Sequence, residues 1–504
     1  MKPERSLWLG LLFAVCVTRL WLMALPSSFW VDETVTAFVV ERPHDPSLGV
    51  APQVPASIYY WLPRIAVRLG GASEAVYRIP SVLAMLAAIW IVARLAARLI
   101  HPRAAWFAAF ACLGLKGIDY FAVDARPYAL GMLMAAAAIW FAVKWLDDAD
   151  RHDALAFIAC AALVWRVHLV YWPFYVVLAL YAAIRLARGH TMVGWLRAAA
   201  VFAVLGVALV PVALQAMALE RQAGTHVIVA LPSWRDFLHL LRWNLVLIAA
   251  VGAWLVKKTT GGGDPESVPA EGSARSSVGL IFCWWLVPPF ALVCISVATR
   301  QSVYITRYLS VALPGIALAA TWAASCFLPA RWWRRAAAVV GVGALAALGQ
   351  WTLLWPPHEK SGWRQAAAEV NRVAAPADLP VICTSPFIEA RWPEWRPDYP
   401  LPGFLYAHLA YYPIHGRVIL FPFEDNHYFT PGPSLAAAEP RAEAYAAQLL
   451  AGTLTVHGGF LIYGGSSSIR FWQKWFASRP ELKLWNNRRD EFGDVFVARF
   501  RAPR

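Results

Sequence analysis

Residues 7–25, LWLGLLFAVCVTRLWLMAL, followed closely by Trp30, Val31, Asp32 and Glu33, decide how this chain is read. The apolar run has the length of an α-helix that crosses a bilayer. Lys2 and Arg5 precede it, and two adjacent carboxylates stand just past its end. With the basic end held in the cytoplasm, Asp32 and Glu33 emerge on the opposite side. The run is too long for the core of a cleaved signal peptide, Arg19 interrupts it, and similar segments follow, so it is read as a first transmembrane helix.

The rest of the chain extends that pattern. Of 504 residues, 59% are hydrophobic and 15% charged, and the mean hydropathy is +0.49, too apolar for a soluble protein of this size. Apolar segments recur near 80–99, 104–121, 127–146, 154–166, 169–187, 198–218, 237–256, 278–298, 308–328 and 336–354, which with the first makes about eleven spans. The net charge of +14 does not signal nucleic acid. Its basic residues gather in alternate turns: Arg98 and Arg103, Lys144 and Arg151, Arg185, Arg188 and Arg197, Lys257 and Lys258, then Arg331, Arg334 and Arg335. That is the distribution that sets membrane orientation. The stretch 257–277, rich in Gly, Pro, Ser and Glu, reads as a flexible cytoplasmic linker. The seven cysteines show no metal-type spacing.

The expected architecture is a polytopic α-helical membrane domain, 1–355, with a large first outer loop, 27–78, and a small α/β domain, 356–504, on the outer face. In the loop, Ile58–Leu69 reads as an interfacial amphipathic stretch. In the tail, strands are expected at 379–384, 418–421, 459–463 and 494–500, and helices at 434–451 and 467–478. The aromatic segment Phe404–Tyr412 is either core or a lid facing the membrane.

Five groups of ionisable residues fall at outer helix ends: Asp32 with Glu33; Arg78; Asp124 with Arg126 and Tyr128; Arg166 with His168; and Arg300 with Arg307 and Tyr308. Charges placed beside lipid are more often functional than incidental. Two acids and several cations in one cavity suit sugar transfer from a polyprenyl phosphate. The departing phosphate gains charge that fixed cations stabilise, arginine binds phosphate oxygens in pairs, and a carboxylate takes the acceptor proton. No glycine-rich phosphate loop, nucleophile elbow or paired-cysteine motif appears, so a lipid-linked donor is favoured over a soluble nucleotide sugar. Asp32, Glu33, His44 and Asp45 match no metal motif, and no cofactor is assigned; a divalent metal there stays an open alternative.

Several motifs resemble those of the GT-C superfamily of glycosyltransferases, which includes protein O-mannosyltransferases and aminoarabinose transferases. Trp30-Val31-Asp32-Glu33 resembles its first-loop acidic motif, Arg78-Ile79-Pro80-Ser81 its entry to the second span, Asp124-Ala125-Arg126-Pro127-Tyr128-Ala129-Leu130 its second-loop motif, Arg307-Tyr308-Leu309 the opening of a late helix, and Trp363-Arg364 the start of its outer domain. Gln53-Val54-Pro55-Ala56-Ser57 replaces the usual His-Pro-Pro stretch. The resemblance implies an inverting membrane glycosyltransferase of mannosyltransferase or aminoarabinose-transferase type; short loops and Ala-rich, Trp-rich helices point to a bacterial inner membrane, and the charge-derived orientation puts the active site on its periplasmic side. Asp32 would be general base, with Glu33 either supporting it or binding the acceptor. Arg126 and Arg307 would hold the donor phosphate, with Arg78, His168 and Tyr128 as further candidates. The partners implied are a polyprenyl-phosphate-linked sugar, a lipid, glycan or protein acceptor, and membrane lipid. The rival reading is a polyprenyl-lipid or solute transporter, or a flippase, in which the same charges line a pathway.

Overall fold

In the computed structural model, residues 7–220, 231–260, 271–300, 302–349, 357–386, 403–423 and 442–503 are described. Seven helices are long and apolar enough to cross a membrane: Leu7–Ala24, Glu74–Leu99, Tyr128–Asp148, Leu169–Ala187, Trp195–Ala218, Ser277–Thr299 and Thr306–Ser325. Two helix pairs, Ala105–Leu113 with Lys116–Ala122 and Trp234–Leu240 with Trp243–Thr259, pass the same test jointly but bend by 77° and 44° at their breaks. Counting each pair as one span gives nine. The expected segments at 154–166 and 336–354 are occupied by the helices Arg151–Val167, of 17 residues, and Trp333–Leu348, of 16, short for a bilayer core of about 30 Å. Residues 350–354 and 261–270, the latter most of the expected linker, lie outside the described residues.

Helices approach closely where side chains are small. A Cβ at Gly315 would stand 2.8 Å from the backbone of Trp284 and Trp285, so the helices carrying them touch main chain to main chain. At one end of the bundle, residues placed in cytoplasmic turns by the sequence meet acids: Arg98 and Arg185 share Asp147 at 2.8 and 2.6 Å, and Lys144 reaches Asp153 at 2.7 Å. The chain is a multi-pass helical membrane protein with a small sheet domain at the end of its sequence.

That domain holds five strands, β1 (Val381–Ser385), β2 (Val418–Phe423), β3 (Gly459–Gly465), β4 (Asn486–Phe492) and β5 (Val495–Arg501), in the order β2-β1-β3-β5-β4. The first three run parallel, and the β3-β5 and β5-β4 pairings are antiparallel. Side chains alternate between faces: Phe460 and Ile462 join Trp472 and Phe476 of the helix Ser466–Ala477, whereas Leu461 and Tyr463 join Trp363 and Val370 of the helix Trp363–Ala374, in a core continuous with the bundle. β4, absent from the sequence expectation, is the exposed edge, where Arg488, Arg489, Asp490 and Glu491 discourage pairing with another chain. Only 442–451 of the expected helix at 434–451 falls within the described residues; 442–449 is α-helical, and 450–451 open the π-helical turn Leu450–Leu454.

The segment Phe404–Tyr412 is core. Phe404, Leu405, Tyr406 and His408 are buried, and Phe404 packs edge-on to Phe38 of the helix Val31–Glu41. By contrast, the helix Trp61–Gly70 leaves Trp61, Ile65 and Leu69 exposed along one side, as an interfacial helix should.

His408 has an energetic consequence. Its ring lies 4.5 Å from that of Trp363, neither nitrogen has a hydrogen-bond partner among the described residues, and burial pushes its pKa down to about 3. The folded state therefore binds fewer protons than the unfolded state below the ordinary histidine value near 6.5, and stability falls as pH drops from there toward 3. At pH 5 the loss from this one group is about 2 kcal/mol. Melting curves in detergent at pH 7 and 5 should show His408→Phe losing less than the parent between the two.

Candidate active site

The first turn of the helix Val31–Glu41 organises the site. The Glu33 carboxylate accepts from the Trp30 amide at 3.3 Å and so caps the start of its own helix. Carboxylates in a first turn also benefit from the unpaired amides there. Neighbouring residues on a helix point about 100° apart, so the adjacent acids part company. Glu33 turns inward, while Asp32 stays partly exposed and meets Arg307, which lines a cleft.

Glu33 is wholly buried and saturated. Arg78 donates to it from Nε at 2.7 Å and from Nη2 at 2.5 Å, and the Ala125 amide adds a bond of 2.8 Å. Burial alone would raise this carboxyl; Arg78 and the amide outweigh it and hold the group below the usual range. Arg78 is equally occupied. Its Nη1 donates to the carbonyls of Leu25 and Ser27, both at 2.8 Å, and to Ser27 Oγ at 2.9 Å, and its Nη2 reaches the Ser28 carbonyl at 3.2 Å. Every N–H of this guanidinium is used within the protein, which leaves none for a phosphate. The expectation that Arg78 is a phosphate ligand is therefore corrected: it braces the 24–28 turn against Glu33.

Asp32 remains reachable, with 18% of its side chain exposed. Arg307 Nη1 lies 2.8 Å from Oδ2 and Arg126 Nη2 3.8 Å from the same oxygen, while Arg126 Nη1 donates to the Asp32 carbonyl at 3.2 Å. Arg126 arrives there because its loop is stitched along the helix: Thr36 Oγ1 donates to the Ala125 carbonyl at 2.7 Å and Ala125 N–H to Glu33. Arg126 thus pairs with Asp32, 94 residues away, rather than with nearby Asp124. The Nε atoms of Arg126 and Arg307 are buried donors without acceptors among the described residues. Tyr128 and His168 complete this wall, with ring centroids 5.7 Å apart, and His168 also packs 5.1 Å from Tyr308. Burial, then Arg126 and Arg307, push the His168 pKa down to about 3, so the ring is neutral. Its Nδ1 accepts from the Val170 amide at 3.3 Å, which places its proton on Nε2. Arg166 and Arg300 are exposed and do not line the cleft.

That cleft holds about 490 Å³ and is lined by Trp30, Tyr128, Leu240, Arg242, Pro289 and Arg307 among others, a volume in the range of small-molecule sites. Lys116, Tyr120 and Glu359 also face it. Lys116 was detectable, as a lone cation inside an apolar segment; nothing local marks Arg242 or Glu359.

Asp124 is buried beside Glu33. It accepts from Trp30 Nε1 at 3.0 Å and lies 3.8 Å from His358 Nε2, yet its Oδ2 and that His358 nitrogen have no hydrogen-bond partner among the described residues. Burial raises the Asp124 carboxyl above its usual range, against the pull of His358. Glu33, Asp124 and His358 bring potential ligand atoms within 4.8 Å of one another. This is not the quartet suggested by the sequence, since Asp45 instead caps the turn at Ser47 and His44 is exposed. Because Glu33 is saturated, the cluster has two free ligand atoms, short of the three protein ligands usual for an open zinc site.

The family profile for dolichyl-phosphate-mannose-protein mannosyltransferases matches residues 55–219, a stretch that contains Arg78, Asp124, Arg126, Tyr128 and His168. The match spans about a third of the chain, which over that stretch is similar to membrane glycosyltransferases of the GT-C type. Two crystal structures share the fold over 98% of both chains, ArnT from Cupriavidus metallidurans in its apo state, at TM-score 0.57 and 13% identity, and the same protein bound to undecaprenyl phosphate, at 0.58 and 12%. No curated protein sequence matches the chain.

Proposed function

We propose that this protein moves a sugar from a polyprenyl-phosphate donor to an acceptor hydroxyl on a lipid, glycan or protein, with inversion at the anomeric carbon, at the periplasmic face of a bacterial inner membrane. The observation that carries the reading is Asp32, a reachable carboxylate held between Arg126 and Arg307 beside the cleft. The undecaprenyl phosphate bound by the ArnT of similar fold supports the class of donor.

In the reaction the acceptor oxygen attacks the anomeric carbon, the bond from that carbon to the phosphate oxygen breaks, and Asp32 takes the acceptor proton. As it does so it becomes neutral and releases Arg307 from their 2.8 Å ion pair. The departing phosphate gains one negative charge in the same step. The positive charge that balanced Asp32 is then free to balance the phosphate, so the site's net charge is unchanged while its distribution shifts toward products. Glu33 and Arg78 hold the helix that presents Asp32 and touch no substrate. The metal alternative has weaker support, because the gathered cluster has too few free ligands.

Purified protein in liposomes, given radiolabelled polyprenyl-phosphate sugars, should release free polyprenyl phosphate in an acceptor-dependent way. Movement of the lipid across the membrane without cleavage would instead favour a flippase and reject the transferase.

A further inference from the structure

The sheet of the outer domain carries a second group of polar atoms, which shares no residue with the cleft. In the order β2-β1-β3 the chain leaves β1 for β2 on one side and returns to β3 on the other, and all three strands run parallel. The crevice beyond the carboxyl ends of β1 and β3 is therefore a topological switch point, where sheets of this kind receive their ligands. β3 ends there in the sequence Tyr463-Gly464-Gly465-Ser466-Ser467-Ser468, and the helix Ser466–Ala477 begins at once. Gly465, at the capping position, makes no side-chain hydrogen bond to the first turn, whose amides have no partner within the helix. Such a helix start offers N–H groups and partial positive charge to an anion.

A second observation comes from the neighbouring strand. Thr384, next to last in β1, is wholly buried, and its Oγ1 has no hydrogen-bond partner among the described residues. By alternation Thr384 and Gly464 fall on the face of Ile382 and Ile462, which packs on Ile469 and Trp472 of this helix. A Cβ on Gly464 would collide with Thr384 Oγ1, so the hydroxyl lies against the residue just before the helix cap, and only glycine admits it there. A buried hydroxyl without an acceptor is costly to keep. Charge is supplied by Arg470, one turn into the helix. Its guanidinium stands 5.8 Å over the ring of Phe496, which pairs with Gly464 across the sheet, and it has no ion pair among the described residues. Arg489 lies 5.1 Å over the same ring but is paired with Glu491 at 2.9 Å.

We infer that the amides opening the helix Ser466–Ala477, Thr384 Oγ1 and Arg470 bind a phosphate group carried by a water-soluble molecule. The opposite face of the sheet, with Leu461 and Tyr463, is the one whose core continues into the bundle. This face is turned away from it, which favours a soluble phosphate over the headgroup of a membrane lipid. None of the three groups takes part in the sugar transfer proposed above.

The test follows the melting temperature of the full-length protein in neutral detergent with inorganic phosphate, glucose 6-phosphate, glucose or phosphatidylglycerol, sodium chloride keeping the ionic strength constant. Inorganic phosphate and glucose 6-phosphate should raise it by binding the folded state, and glucose should not. Thr384→Val keeps the shape and removes the unpartnered hydroxyl. Without phosphate it should melt no lower than the parent, and it should need about 10-fold more phosphate for the same rise. Arg470→Gln should weaken phosphate similarly, and Arg470→Lys should recover most of the loss. Any rise given by phosphatidylglycerol should be the same in parent and variants. A phosphate-dependent rise that survives unchanged in folded Thr384→Val and Arg470→Gln would overturn the inference, as would a parent that shows no rise. Suppression of the rise by saturating undecaprenyl phosphate would overturn it by placing the anion in the donor cleft. A rise with phosphatidylglycerol that the same variants lose would overturn the soluble ligand in favour of a lipid headgroup.

Discussion

Asp32→Asn is expected to lower turnover about 1,000-fold, within the range for loss of a general base, while the protein still folds and still binds the donor. Asn keeps the shape and the acceptor oxygen facing Arg307 at what is now a 2.8 Å contact, but its amide cannot take the acceptor proton. It also leaves Arg126 and Arg307 without their carboxylate. A more positive cleft should bind an anionic donor at least as tightly as before, so the donor KM should hold or fall while kcat collapses. That split separates a base from a residue that merely holds substrate, whose loss would raise KM. Asp32→Glu, with its longer reach, should recover part of kcat. Turnover near the parent value in a folded Asp32→Asn protein would sink the mechanism, and a raised donor KM with unchanged kcat would reassign Asp32 to binding.

The membrane fold was legible because its signals are local. Runs such as Glu74–Leu99 are apolar along their length, and basic turns such as Arg98 and Arg185 mark one side. Four strands showed as short Val, Ile and Phe runs; β4, with the sequence Asn-Asn-Arg-Arg-Asp-Glu-Phe, did not, because an edge strand is held by its ladder to β5 rather than by burial. In the site, residue types were legible and partnerships were not. Adjacent acids look alike in sequence, and only the helix direction sends Glu33 inward to Arg78, 45 residues on. His358, just past the last membrane helix at the start of the outer domain, comes to 3.8 Å from Asp124, a contact that no spacing announces.

Truncating Arg78 to Ala should destabilise the protein by about 3–5 kcal/mol, the usual consequence of leaving one member of a buried ion pair behind. Both side chains are fully buried, at 0% exposure. Removal would also strip the donors from the carbonyls of Leu25, Ser27 and Ser28. The turn that loses them is where the sheet domain attaches: the His358 amide donates to Ser27 Oγ at 3.0 Å, Arg364 Nη2 to the Pro26 carbonyl at 2.8 Å, and the Phe29 amide to Tyr412 Oη at 2.9 Å. Loosening it should therefore expose the 357–386 segment to proteolysis before the bundle unfolds. Glu33→Gln attacks the same pair from the other side. It turns an N–H toward Arg78 and leaves the guanidinium buried without a counter-ion, for a similar loss. The two single losses should not add, since each already breaks the one interaction; Glu33→Gln with Arg78→Met should be more stable than either alone. The pH dependence has a fixed sign. Because the Glu33 carboxyl sits below its ordinary value of 4.5 in the fold, its contribution is complete above that value and disappears as pH falls through the lower folded one. Acid melting curves of the parent should carry that limb and those of the double variant should lack it. Additive losses, or an unchanged acid limb, would mean that the pair does not brace the turn, and that Asp32 is positioned by Arg126 and Arg307 alone.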